Sequence, residues 1–262
     1  MRRYLQLFAI QVKAAALLSL QYRVDFVVQI VMALFWIATA LLPLYVLFSM
    51  RTGVAGWSRY EALMVAGFFI ALKGVLQGAI QPSLTSVVEH IRKGTLDFML
   101  LKPADAQFLL STAKLDLAHA ADVLAGLGIV GWALAQTGQR ATVGSFALAL
   151  VILLCAVIIL YAIWIMVVSL AFKVVKIDNL SYLIVSTFDA ARWPSSVFRG
   201  ALSVVFTFVI PLALMTTYPA LALLGRLRPS EALTSLLVAA GFLALSRLIW
   251  LRSVRSYTGG GG

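Results

Sequence analysis

The sequence predicts an all-α polytopic membrane protein with six transmembrane helices, an N-terminal amphipathic helix on the membrane surface and a helical cytoplasmic loop. Three observations predict it. The chain is 62% hydrophobic, with a mean hydropathy of +0.99. Only 12% of its residues are charged, where a soluble domain carries about 25%. The apolar residues gather in runs of about 20, the length that crosses the hydrocarbon of a bilayer. The net charge of +11 does not point to nucleic acid, because Lys and Arg form no long basic run and sit between the apolar spans. That is the pattern of membrane topology.

Residues 1–23 come first. Two arginines precede an apolar stretch, as in a secretory signal, but Gln6, Gln11 and Lys13 interrupt it. Arg2, Gln6 and Lys13 recur at helical spacing while Leu5, Phe8 and Val12 fill another face, so the segment reads as a helix lying along the inner membrane surface.

Six spans follow: Val24–Met50, Tyr60–Gln81, Asp116–Gln136, Gly144–Phe172, Gly200–Gly225 and Ala232–Leu251. Residues 1–262 form a single transmembrane domain divided at 24–81, 82–115, 116–172, 173–199, 200–251 and 252–262. A cytoplasmic N-terminus puts Arg2, Arg3, Lys13, Arg23, Arg92, Lys93, Lys102, Lys114, Lys173, Lys176, Arg192, Arg199, Arg252 and Arg255 inside. It leaves Arg51, Arg59, Arg140, Arg226 and Arg228 outside. This bias makes both termini cytoplasmic.

The outer loops Arg51–Ser58 and Thr137–Val143 are too short for a receptor domain. The inner loop 82–115 is long and polar. Its stretch "PSLTSVVEHIRKGTLDFML" reads as a short helix broken at Gly94, with Thr95 capping a second turn that ends before Pro103. Leu96, Met99 and Leu100 share one face of that turn. Such a face suits either a partner protein or the lipid headgroups.

Residues 173–199 mix apolar residues with Asp189, Arg192 and Trp193 and read as a cytoplasmic, interfacial elbow, with Trp193 at headgroup depth. In the fifth span, Pro211 and Pro219 each remove a backbone donor and place a kink or hinge in mid-helix. Lys73 and Asp122 are charges inside spans two and three. A Lys73–Asp122 pair would fix the register of those helices; alternatively Lys73 contacts an anionic substrate.

Catalytic patterns are thin. His90 and His119 are the only histidines and have no metal-site spacing. Cys155, the single cysteine, lies in an apolar run as a packing residue. No G-x-S-x-G motif occurs. A phosphate-binding loop needs G-x-x-x-x-G-K-[ST], and the Gly259–Gly262 tail has no following Lys or helix.

The stretch "IRKGTLDFMLLKPADAQF" resembles the cytoplasmic loop of permease subunits in the six-span bacterial branch of the ABC-2 superfamily, at Gly94, Leu96, Asp97, Leu100, Lys102 and Pro103. "FVIPLALMTTYPALALLG" (Phe208–Gly225) is similar to that branch's fifth span, with Pro211 and Tyr218–Pro219 in place. The resemblance implies an ABC transporter permease of the bacterial inner membrane, an exporter, with no enzyme activity of its own. It implies that the loop is a coupling helix seated on a separate ATP-binding cassette ATPase. Two ATPase copies would hold ATP and Mg, and a second permease chain, related or identical, would complete the pathway; the branch's habit favours a heteromer. In the loop, Gly94 would permit the reversal, Leu96 and Leu100 would be apolar anchors, Arg92, Lys93, Asp97 and Lys102 would give charge fit, and Pro103 would stop the turn. The competing readings are a secondary transporter or channel subunit and an intramembrane enzyme.

Overall fold

The computed structural model describes residues 2–51, 53–172, 185–198, 200, 206 and 211–257, the side chain of Arg23 excepted. It is an all-α polytopic membrane protein with five helices long and apolar enough to span a bilayer. Helix α1 (Arg2–Gln21) passes into α2 (Arg23–Met50) through Tyr22 alone, whose φ of −104° and ψ of 47° break the helix. The outer loop folds as a two-residue hairpin, β1 (Gly53–Val54) with β2 (Trp57–Ser58).

Helix α3 (Arg59–Val75) starts from a capping box in which the Ser58 hydroxyl accepts from the Glu61 amide and the Glu61 carboxylate accepts from the Ser58 amide. It continues through a π-helical turn, Leu76–Ile80, into α4 (Gln81–Arg92). The helix of the second span therefore continues past Gln81. Residues 59–92 form one rod of 34 residues, roughly 51 Å long at 1.5 Å per residue. Hydrocarbon takes up about 30 Å of that length, so α4 projects beyond the membrane instead of forming a separate loop helix.

Pro82 survives in mid-rod for a definable reason. It has no amide to offer the carbonyl four residues back, which is that of Gly78. The Asp116 amide donates to the Gly78 carbonyl oxygen instead, at 2.7 Å. The π turn widens the helix just ahead of the ring.

Two short helices, α5 (Asp97–Leu100) and α6 (Ala106–Ser111), lead to a 3₁₀ turn at Leu117–His119 and then to α7 (Ala120–Gln136). Helix α8 (Val143–Leu170) is capped by the Thr142 hydroxyl, which accepts from the Ser145 amide. Helices α3 and α7 pack at backbone contact. A Cβ on Gly126 would lie 2.5 Å from the Ala71 nitrogen and 2.6 Å from the Gly67 carbonyl oxygen. Small residues permit this approach, which gives lipid-embedded helices their van der Waals attraction.

One expectation is corrected beyond α8. Residues 173–184 and 199 lie outside the described residues; of the expected elbow, 185–198 do not stay at the Gly94 end of the rod. Phe188 packs on Phe69, Lys73 meets Asp189, and the Trp57 indole donates to the Ser196 hydroxyl at 3.1 Å. The segment thus climbs along α3 from mid-rod to the hairpin end, carrying Arg192 and Trp193 away from the side they were assigned.

The expected fifth span is described only in part. Its residues 201–205 and 207–210 lie outside the described residues. The described helical part, Ala213–Thr217 in π form and α9 (Tyr218–Leu223), covers 11 residues, about 16 Å, too short to cross. It begins beside the middle of the chain's ascent: the Thr216 hydroxyl donates to the Ala191 carbonyl at 2.8 Å. It ends near the hairpin, where Arg226 meets the buried Glu61 at 2.7 Å. Pro211 directly precedes the described helical residues, and residues 207–210 before it lie outside the described residues. Pro219 follows a π turn at the same offset as Pro82 does, so the backbone accommodates it in place.

Helix α10 (Pro229–Arg255) returns to the α5–α6 end, extending through the first residues of the expected tail. There Phe172 packs against Trp250 and Tyr257; residues 258–262 lie outside the described residues.

Candidate functional site

Two sites stand out, one at the end of the long rod and one halfway along it. At the end, α4 closes in a Schellman motif. The Thr95 amide donates to the His90 carbonyl at 3.0 Å and the Gly94 amide to that of Ile91 at 3.2 Å. Gly94 has φ +65°, where a side chain is strained. Thr95 does not cap α5, as its sequence position had led us to expect. Its hydroxyl lies 2.8 Å from His90 Nδ1, locking the turn.

The loop then turns Leu96 inward. Leu96 is 0% exposed, inside the core with Leu84, Val87 and Leu110. It cannot anchor another protein, because its surface is already consumed in holding this one. Met99 and Leu100 pack half-buried behind it. The outward apolar side chains are Phe98 and Leu101, 71% and 81% exposed. Lys93, Lys102 and Pro103 are exposed around them, as is Arg92, and Asp97 is half-buried. Sequence reasoning missed Phe98 and Leu101, although their offset from Leu96 in a helical turn was readable.

A polar web fixes the far side of this loop. Asp105 caps α6 by accepting from the Phe108 amide at 3.0 Å, and its other oxygen takes Arg247 of α10 at 2.6 Å. Burial pushes the Asp105 carboxyl up, but the Arg247 guanidinium and the Phe108 amide outweigh it and hold the pKa below the usual carboxylate value. Arg247 also donates to Gln107, which donates to the Tyr161 hydroxyl of α8. Tyr4 of α1 stacks edge-on against Phe108. Loop, α1, α8 and α10 are thereby joined. Arg247, missed from sequence, was the one arginine inside the sixth span.

Halfway along the rod, a cavity of about 530 Å³ opens between α2, α3 and α7. Lys73, Asp116, His119, Asp122 and Arg192 line its polar side, and Trp36 and Phe69 its apolar side. The expected Lys73–Asp122 pair does not form. Lys73 Nζ donates to Asp189 Oδ1 at 3.1 Å, while Asp122 is taken by His119 Nδ1 at 2.7 Å. The reason is topological: the ascent of residues 185–192 places a carboxylate nearer to Lys73 than α7 does. Arg192 Nη2 reaches the same Asp189 oxygen at 3.6 Å. Both cations also lie 5.7 Å from the centre of the Phe69 ring.

The family model described as "ABC-2 family transporter protein" matches residues 34–261. The chain belongs to the ABC-2 transporter family. The match begins inside α2 and takes in the rod, the Gly94 loop, the charged cavity and α10. No curated protein and no solved structure matches the chain. The ABC-2 assignment makes this a multi-pass membrane component of a transporter, and it accounts for long apolar helices around a polar, tightly braced loop.

Proposed function

We propose that this chain is the permease subunit of an ATP-driven exporter, docked through its Gly94–Pro103 loop on a separate ATPase of the ATP-binding cassette type. The observation that carries the proposal is the exposure of Phe98 and Leu101 on a loop that is otherwise immobilised. The Schellman closure, buried Leu96 and the Asp105–Arg247 pair hold the backbone, so ordering it costs little when a partner binds. Two large apolar side chains ringed by Lys93 and Lys102 suit a groove on a soluble protein.

The Gly94 end is the cytoplasmic one in this reading. Arg2, Arg3, Lys13, Arg92, Lys93, Lys102, Lys114, Arg252 and Arg255 gather there, against Arg51, Arg59, Arg140, Arg226 and Arg228 at the hairpin end. Two ATPase copies with ATP and Mg sit below a pair of permeases in the bacterial inner membrane, and α2 supplies the surface for the second permease. Closure of the motors pushes the loop, and the web from Asp105 through Arg247 and Tyr161 carries the push to α10 and α8. This chain itself does no covalent chemistry.

Co-purification from gentle detergent tests the proposal. The intact chain retains an ATPase of this class, and the double substitution F98S/L101S loses it while inserting normally. A chain that elutes alone, or a double variant that retains its ATPase fully, overturns the docking role. The Lys73–Asp189–Arg192 cluster gives a secondary transporter its one supporting observation, since such proteins use intramembrane charges. That reading requires transport driven by an ion gradient with no ATPase attached.

A further inference from the structure

Among the described residues, the mid-rod cavity holds an uneven distribution of charge. Lys73 and Arg192 share one carboxylate, on one oxygen, with side chains 34% and 28% exposed. Of the carboxylates across from them, Asp122 is paired and Asp116 keeps its charge. Asp122 is bonded to His119 and largely buried, and Asp116 Oδ1 accepts from the Ala118 amide at 3.1 Å. The cations keep N–H donors that Asp189 does not use, since a lysine has three and an arginine five.

Apart from Gln29 and Gln77, the rest of the cavity is apolar, and it leads outward. Met32, Trp36 and Phe69 line it, and α2 beyond them exposes Phe35, Val31 and Leu42. A charge at this depth is costly unless it is paired, and a site walled by α2 is open to lipid and closed to little else. An occupant must bring a negative group to Lys73 and Arg192 and an aliphatic part to Trp36.

We propose that the cavity between α2, α3 and α7 binds the anionic head group of an amphiphile, with Lys73 and Arg192 as its counter-charges and its chain lying along α2. Asp189 holds the two cations in place while the site is empty and competes with the ligand for them. Binding follows from this geometry alone; its meaning as transported cargo rests on the exporter function proposed above.

The test uses the full chain in phosphatidylcholine nanodiscs, titrated with phosphatidic acid bearing dibrominated chains, which quench indole fluorescence on contact. The signal of Trp36 is the difference between the chain and its W36F variant. Trp36 is 63% exposed on α2, so every brominated lipid quenches it by collision; phosphatidic acid adds a saturable component at low mole fraction that brominated phosphatidylcholine or a brominated trimethylammonium lipid lacks. Lys73→Gln weakens the binding about tenfold, the size expected for one charge-assisted hydrogen bond. Asp189→Asn tightens it several-fold by removing the competitor, a gain that misfolding cannot imitate.

Equal quenching by all three head groups, or a loss of affinity in Asp189→Asn, overturns the proposal. Displacement by inorganic phosphate at equal concentration assigns the site to a free anion and overturns the amphiphile. Failure of ATPase co-purification removes the transport reading and leaves this result standing; failure of selective quenching removes the site and leaves ATPase docking standing.

Discussion

Helix α2 is more apolar than the rod that follows it, yet its most apolar 18-residue window is 6% buried within the chain against 67% for the rod. In water the order would be reversed. In lipid, apolarity places a helix in the membrane and small residues decide what it packs against. The rod carries Gly67, Ala71, Gly74 and Gly78 along its α7 side, and α2 has no glycine at all. One helix is therefore committed to the chain's own core, and the other keeps its surface for lipid or a second subunit.

Breaking the committed side has the largest effect. Gly126→Leu forces a side chain into the Ala71 and Gly67 backbones and costs about 3 kcal/mol by overpacking; thermal unfolding in detergent reads this as loss of the folded chain. Gly94→Val comes next. Its φ of +65° makes a β-branched residue cost about 1–3 kcal/mol, and ATPase co-purification falls while membrane insertion stays normal. The charged cavity ranks third: a double-mutant cycle detects a favourable coupling between Lys73 and Asp189. The Lys73–Asp122 cycle gives no coupling.

Asp105 contributes less, because it and Arg247 are 34% and 42% exposed and solvent screens them. Its folded pKa lies below the ordinary 3.8, so the pair's stabilisation is complete above that pH and is lost as pH falls through the lower folded value. Melting followed from pH 5 to about 2 shows a shallow decline that Asp105→Asn removes. Leu34→Ala on α2 completes the series with a melting change inside about 0.5 kcal/mol, since its side chain already faces outward.

Legibility from sequence follows the same division. The long spans α2, α7, α8 and α10 were readable to within a few residues, because hydrocarbon thickness fixes their length. Gly94 was readable as a reversal. The misreadings occur where polar and apolar residues mix at membrane depth. The passage 185–198 looked interfacial because Asp189 and Arg192 interrupt it, and only their meeting with Lys73 shows that they lie beside the rod. Of span five only the second half falls among the described residues, as the short apolar helix Ala213–Leu223. Leu96 was misassigned since a four-residue turn has too little periodicity to say which face is inward. The π turns before Pro82 and Pro219 left no pattern beyond the prolines themselves.

The most direct measurement places a photoreactive side chain at Leu101 and, in a second variant, at Leu34, and identifies by mass spectrometry what each captures in native membranes. The account predicts an ATP-binding cassette ATPase at Leu101 and lipid or a six-span permease at Leu34. Capture of lipid alone at Leu101 would contradict it, turning the loop into a membrane-surface turn and leaving the ATPase without a seat on this chain.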